Sequence, residues 1–339
     1  MRTPDPTPRL VLPSELDGPG ARRRQVEVAG GRLAAVELGP ADAPAWVLAH
    51  GVGSSARFLA AAFAAPVLHA KARLVLYDLR GHGASSHARR PSDHHLDVHA
   101  ADLAAVAASV EGPVAVVGGV SLGAHAAVRA VTTGTRAGAV LGCLPAWLGL
   151  SPLGRGPHAA IAARITREGI GPTIAELRAD QALAPWLRAA LLADYPRHDP
   201  ASLEAALRAL DGAEAPSVAE LRALELPLAV IGWSDDPGHP MAVARRWSDL
   251  APRSALARMT IGSLEGQLPR LGRAAVVTVR SLGADGSSGA DGSSGADGSS
   301  GADGDVRPPV RVSPPGRGRA RHGRPARPAD GRAGPPSTP

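Results

Sequence analysis

Cysteine is almost absent from this chain. Cys143 stands alone, inside the apolar run 139–144. No intrachain disulfide can form, so a packed core has to hold the fold. A lone thiol in apolar surroundings reads as a buried structural residue rather than a nucleophile. A chain without disulfides suits a reducing compartment, and a cytoplasmic location is the expectation. Lysine is equally rare, with Lys71 the only one; the basic charge comes from arginine. Arginines are scattered through the first 280 residues. Residues 305–339, by contrast, carry eight arginines against two aspartates, and their net charge of +6 equals that of the whole chain. The remainder is neutral, so the high pI of about 10.7 describes the tail and gives no reason to expect a nucleic-acid partner for the folded part. Aromatic residues make up 3 % of the chain. No apolar run approaches the roughly 18 residues of a membrane span. Met1–Gly20 has no apolar segment of the secretory kind, so neither a membrane anchor nor a signal peptide is expected.

Metal-ligand spacing is missing too. Asp93, His94, His95, Asp97 and His99 crowd together, but residues so close in sequence do not share one helix face. They read as the polar approach to a helix beginning at Leu96. The glycine-rich stretch Gly118–Gly123 lacks the lysine of a phosphate loop. No metal and no cofactor are expected.

What the chain does have is an alternation of short apolar runs and helix-like segments. Two strands, 25–28 and 33–38, flank Gly30-Gly31 as a hairpin. Buried strands follow at 45–49, 74–77, 114–117, 137–144, 227–232 and 255–261, with helices over 56–70, 96–110, 241–250 and 268–282. Ser54 or Ser55 is placed to cap the first helix, and Pro240 sits near the start of a later one. Strand–helix alternation of this kind predicts an α/β fold. We expect a mostly parallel twisted sheet of about eight strands with helices on both faces. Residues 147–224 break the pattern: helix-like pieces at 158–168, 174–182, 186–193 and 202–209, separated by Pro and Gly, read as an inserted helical cap. The expected organisation is a flexible leader (1–23), a core (24–146 and 225–282) and the cap (147–224). A linker made of the repeat Gly-Ala-Asp-Gly-Ser-Ser follows (283–304), then a disordered basic tail (305–339). The tail is expected to bind polyanions weakly at most.

The rest of the chain is arranged around 112–127, GPVAVVGGVSLGAHAA. A β-type run leads through Gly119-Val120-Ser121-Leu122-Gly123 into alanines that suit a helix. This is the form of a nucleophile elbow, a serine on a sharp strand-to-helix turn. Side chains two residues to either side would collide with the neighbouring strand and helix, which accounts for Gly119 and Gly123. The following helix directs its free N–H groups toward charge developing beside Ser121. Ligands of parallel sheets bind beyond the carboxyl ends of the strands. His50, Asp78, Ser121, Asp235 and Asp236 all fall at such ends.

Three signatures in this order make residues 25–282 resemble the α/β-hydrolase fold family. They are His50-Gly51 after the third strand, Asp78-Leu79-Arg80-Gly81-His82-Gly83-Ala84-Ser85 after the fourth, and the elbow after the fifth. The resemblance implies Ser121 as nucleophile, the backbone N–H groups of Val52 and Leu122 as an oxyanion hole, and His50 and Gly51 as the residues shaping that loop. It implies structural roles for Arg80 and His82, and a catalytic acid at Asp235 or Asp236. One departure stands out. The family's histidine usually follows the last strand, yet 260–267 contains none. Either His239, three residues beyond Asp236, has taken over as the base, or Ser121 is not activated.

Two function classes follow. In the first the chain is a serine hydrolase of small apolar ester, lactone or related acyl substrates. In the second it is a weak or inactive hydrolase-like protein retained for ligand or partner binding. A C–C hydrolase or cofactor-independent haloperoxidase chemistry, both found among proteins of this resemblance, is a third reading that also needs the histidine.

Overall fold

The computed structural model describes residues 9–18, 20–151, 157–283 and 311–312. The six strands that read as apolar runs form the centre of one sheet. They are β3 (Ala45–Ala49), β4 (Arg73–Tyr77), β5 (Val114–Val120), β6 (Ala139–Cys143), β7 (Leu228–Trp233) and β8 (Arg253–Met259). They pair in parallel in the order β4-β3-β5-β6-β7-β8. β3, β4, β6 and β7 are buried at every position, as strands covered on both faces must be. Before them, β1 (Arg22–Val28) and β2 (Gly31–Leu38) form an antiparallel hairpin that joins the sheet through β2 and β4. The fold is therefore the expected mostly parallel α/β sheet.

Helices cover both faces. On one side α1 (Ala56–His69) packs against α10 (Pro269–Ser281), with Phe63, Val67, Leu271 and Val279 against the sheet. The two cross so closely that a Cβ on Gly272 would overlap the Ala62 carbonyl oxygen. On the other side lie α2 (Leu96–Ala108), α3 (Leu122–Thr132) and α9 (Met241–Leu250), whose Leu103, Val128 and Trp247 fill the second core. Ser55 caps α1, its Oγ accepting from the Arg57 N–H at 3.1 Å.

Among the described residues between β6 and β7 run the α-helices α4 (Pro157–Glu168), α5 (Ile170–Ala179), α6 (Pro185–Asp194), α7 (Pro200–Ala209) and α8 (Val218–Arg222). The chain enters and leaves this segment side by side: the Ala215 N–H donates to the Gly149 carbonyl at 2.7 Å and the Ser151 N–H to the Ala213 carbonyl at 2.8 Å. The segment has its own apolar cluster, Ala162, Ile165, Tyr195, Leu203 and Leu207. It is tied to the sheet by polar bonds, among them Ser55 Oγ–H to Asp194 Oδ1 at 2.7 Å and the Ala88 N–H to Ser202 Oγ at 3.0 Å.

Several details differ from the sequence reading. The leader is not loose throughout: Ser14–Leu16 forms a 3₁₀ turn with Leu16 buried, and β1 begins at Arg22. In the 147–224 stretch α5 starts at Ile170, and Pro185 and Pro200 open α6 and α7 from within. Proline is tolerated in a first turn, where its missing N–H has no partner to lose. The repeat linker from residue 284 and the basic tail lie outside the described residues, apart from Arg311–Val312. These two form β9, antiparallel to β8. Among the described residues no helix is long and apolar enough to cross a membrane.

Candidate active site

Ser121 occupies the corner between β5 and α3 with φ 54° and ψ −116°. Positive φ is costly for a residue with a side chain, and it persists only where the surroundings fix it. Here they do. A Cβ on Gly119 or on Gly123 would overlap the Ala49 carbonyl oxygen, so strand, turn and helix are pressed together with no room to relax. The Ser121 N–H donates to the Cys143 carbonyl at 2.9 Å. Ser121 precedes the first residue of α3, where a serine ordinarily caps the helix. Its hydroxyl makes no capping bond; the turned backbone aims it elsewhere.

The hydroxyl meets His239. Ser121 Oγ lies 2.9 Å from His239 Nε2, and His239 Nδ1 lies 2.7 Å from Asp236 Oδ2. An ionised carboxylate only accepts, so Nδ1 carries the hydrogen and Nε2 is free to accept from the serine. Asp236 and His239 sit on the turn between β7 and α9, and the turn is stiffened by the Gly238 N–H donating to Asp236 Oδ1 at 2.8 Å. Burial alone would push the Asp236 carboxyl up. The hydrogen bond and charge of His239, together with the Gly238 and His239 N–H groups, outweigh it and hold the carboxyl below its ordinary range. The His239 side chain keeps 25 % of its surface exposed, and Ser121 is half-buried.

The two acids left open by the sequence part company. Asp235 turns away from His239 and accepts the Ile261 N–H at 2.8 Å. It braces the loop after β8 and is not placed to orient the imidazole.

The loop after β3 lies against the serine: a Cβ on Gly51 would stand 3.2 Å from Ser121 Cβ. Among the described residues the Val52 N–H has no acceptor, and the Leu122 N–H, first in α3, has no helical partner. His50 is fully buried; its Nδ1–H donates to the Gly51 carbonyl at 2.7 Å and its Nε2 accepts the Leu79 N–H at 2.9 Å. Burial, only partly offset by Asp78, lowers its pKa to about 4. His82 is likewise buried, accepting the Gly53 N–H at 3.0 Å and donating to the Arg80 carbonyl at 3.0 Å. Arg80 pairs with the buried Asp102, 2.7 Å from Nε to Oδ2. The remaining loop carboxylate, Asp78, accepts the Ala56 and Ala84 N–H groups, each at 2.9 Å. His125 accepts the Ala146 N–H at 3.1 Å, packs edge-on to Trp147 at 4.9 Å, and has its pKa driven down to about 3 by burial and then by His239.

Sequence reasoning placed a cap over 147–224 but did not single out the residues by which it reaches this site. His158 on α4 comes near enough to His239 that the base, after burial, lowers its pKa. Tyr195 and His198 rest on Gly53: a Cβ there would lie 3.0 Å from the Tyr195 ring. No local pattern marks these residues, because their partners are about eighty or more positions away. Val52 touches two apolar groups of this segment, one containing Tyr195 and Leu203 and the other Trp147, Leu210 and Ala215. A surface concavity of about 830 Å³ is lined by Val131, Thr135, Glu220 and their neighbours. It contains none of Ser121, His239 and Asp236. Among the described residues no group of three or more His, Cys, Asp or Glu is placed to hold a metal ion.

A carboxylate–imidazole–hydroxyl chain beside unpaired backbone donors has the parts needed for nucleophilic catalysis. Comparison with known proteins follows from the same architecture. No curated protein matches the chain. Solved structures that do match include the enol-lactonase from Burkholderia xenovorans LB400, at 18 % identity and a TM-score of 0.62, over 76 % of this chain and 100 % of that one. A thermophilic esterase from Thermogutta terrifontis matches at 22 % identity and a TM-score of 0.61, over 77 % and 99 % of the two chains. A bromoperoxidase from Bacillus anthracis matches at 17 % identity and a TM-score of 0.61, over 76 % and 98 %. At such identities the likeness by itself shows the fold alone. A family model matches residues 46–263, from β3 to the turn after β8, and on that match the chain belongs to the alpha/beta hydrolase family.

Proposed function

We propose that this hydrolase is a serine hydrolase acting on small apolar ester, lactone or related acyl substrates. The observation that carries the reading is the unbroken chain Asp236–His239–Ser121, with links of 2.7 and 2.9 Å. His239 accepts the Ser121 proton as Oγ attacks the acyl carbon. The tetrahedral oxyanion falls to the N–H groups of Val52 and Leu122, a contribution of about 3 kcal/mol per donor. His239 then returns the proton to the leaving oxygen, and water repeats the sequence to release the acid. Asp236 fixes the tautomer and stabilises the imidazolium.

Residues 147–224 act as the cap of the site in this reading. They bring Tyr195, Leu203, Trp147 and Leu210 around Val52, a lining that favours an apolar acyl group and limits water. The enol-lactonase and esterase of like fold lend support at the level of reaction class. The binding-only alternative rests on the missing histidine after the last strand; the 2.9 Å contact of His239 with Ser121 favours the hydrolase reading. Buried Cys143, its thiol pushed up by burial, takes no part and suits the cytoplasmic location expected of the chain.

The test is turnover of a panel of short p-nitrophenyl esters together with labelling by a fluorophosphonate. Ser121→Ala should abolish both. His239→Ala should lower kcat by roughly 10⁴-fold or more. A parent protein that turns over no ester and takes no label would end the proposal.

A further inference from the structure

Three buried histidines meet around the backbone of Gly53. His50 and His82 come from the loops after β3 and β4. The third, His198, lies between the 3₁₀ turn Tyr195–Arg197 and α7, in the inserted helical segment. The rings of His50 and His82 are 5.2 Å apart and those of His82 and His198 5.0 Å. Their bonds leave each ring one tautomer. The Gly83 N–H donates to His198 Nδ1 at 3.0 Å, so the His198 hydrogen is on Nε2, where it is given to the Gly53 carbonyl at 3.2 Å. His82 Nε2 accepts the Gly53 N–H. Both polar groups of Gly53 are thus held by imidazoles, one from the sheet side and one from the helical segment. His50 holds Gly51 on the other side of Val52.

A bond that served only to seat the helical segment could end on Gly83. His198 instead spans two loops, with one nitrogen on the loop after β4 and the other on the residue next to Val52. We propose that His198 is a positioning residue: it orients the Val52 N–H toward the developing oxyanion, so that the oxyanion hole is complete only while the helical segment is seated on the sheet. The proposal rests on the hydrolase reading above. It assigns the segment a share in forming the transition-state site, beyond covering a pocket. It also explains why a residue 145 positions from Gly53 in sequence bonds to it directly.

Two substitutions separate the two nitrogens. In His198→Gln the amide reaches the position of Nε2 and keeps a donor for the Gly53 carbonyl. In His198→Asn the side chain reaches only Nδ1, keeps an acceptor for Gly83 and leaves Gly53 without its donor. With p-nitrophenyl butyrate, His198→Asn should lower kcat about tenfold with KM within twofold of the parent, and fluorophosphonate labelling should slow in parallel. His198→Gln should stay within about threefold on all counts. An unchanged kcat in His198→Asn, equal losses in both variants, or a change confined to KM would overturn the proposal. Should neither variant fold, nitrogen-resolved imidazole NMR of the parent at pH 7 decides: a neutral Nε2–H tautomer for His198 is expected, and an Nδ1–H or protonated ring overturns it. If the parent itself lacks esterase activity and labelling, the hydrolase reading fails, and the tautomer measurement still judges the clasp separately.

Discussion

The two halves of the triad are built differently. Ser121 stands on a corner that is rigid by exclusion: β5 is buried from Ala115 onward, Gly119 and Gly123 leave no free volume, and the serine backbone holds a costly positive φ. Asp236 and His239 occupy a turn whose residues 235, 237 and 238 are exposed and which is stiffened by hydrogen bonds to the Asp236 carboxylate, the Gly238 N–H among them. A nucleophile has to be set against backbone donors within a fraction of an ångström, and only the corner can do that. An acid–base pair needs hydrogen-bond reach and a fixed tautomer, which four consecutive residues can supply. In the proposed mechanism the base is therefore the movable half. If His239 works beside its own acid as proposed, the loop after β8 is left free of chemistry; it is braced by the Ile261 N–H donating to Asp235 and the Ile261 carbonyl accepting from Trp186 Nε1 at 2.9 Å.

The sharpest way to break the movable half is Asp236→Asn. The amide can accept a hydrogen from Nδ1 but equally donate to it, so the imidazole loses its preferred tautomer. A fall in kcat of roughly 10³- to 10⁴-fold is expected, with thermal stability little changed. Steady-state kinetics beside a melting curve checks both parts; a loss under tenfold would detach Asp236 from the mechanism.

Much of this contrast was legible in the sequence, for physical reasons that also explain what was not. Parallel strands buried on both faces must read as unbroken apolar runs, which is how 45–49 and 227–232 announce themselves. The corner announces itself because steric exclusion leaves glycine as the only residue at two positions. Edge strands give no such signal: Arg22 is part of β1 and pairs with Glu37 across the hairpin at 3.1 Å, yet on paper it belongs to a polar leader. His239 could be singled out by its place at a strand end. The choice between Asp235 and Asp236 could not be made, since neighbouring carboxylates differ only in how the turn rotates them. The bonds from His198 to Gly53 and Gly83 link regions far apart in sequence and leave no trace in any window of residues.

Acid should strike the rigid half. His50 has a folded-state pKa of about 4 against 6.5 when exposed, because it is buried. As pH falls from 6.5 toward 4 the unfolded chain takes up a proton that the folded chain refuses, so stability is lost with decreasing pH through that window. At about 1.4 kcal/mol per pH unit, His50 alone accounts for roughly 3 kcal/mol. His82, His94, His99 and His198, all lowered chiefly by burial, act in the same direction. Asp194, raised to about 6 by burial, opposes them: below pH 6 its folded form binds a proton that the unfolded form binds only near 4. Urea denaturation at pH 7 and pH 4.5 should show the net loss, and His50→Asn should flatten the difference. A stability independent of pH over this range would mean that these histidines are not buried as neutral rings.

Packing separates the halves next. In Gly123→Ala the new methyl group meets the Ala49 carbonyl and forces the corner apart, at an expected cost of about 2–3 kcal/mol, with loss of turnover as Ser121 shifts. Gly238→Ala, on the turn, brings its methyl to 3.2 Å from an Asp236 carboxylate oxygen that can rotate, and should cost under about 1 kcal/mol. Equal costs in denaturant titrations would erase the distinction between an excluded corner and an adjustable turn.

The smallest effect belongs to Asp235→Asn, and it is the cleanest control. Asp235 has the same chemistry and nearly the same address as Asp236, but its carboxylate holds the Ile261 N–H in place of His239. The amide oxygen still accepts that hydrogen, so only the charge-assisted part of the bond is lost, on the order of 1 kcal/mol of stability. Turnover should stay within about threefold of the parent. If Asp235→Asn instead costs as much activity as Asp236→Asn, the imidazole is oriented by both carboxylates, and the turn is a shared acid rather than a divided one.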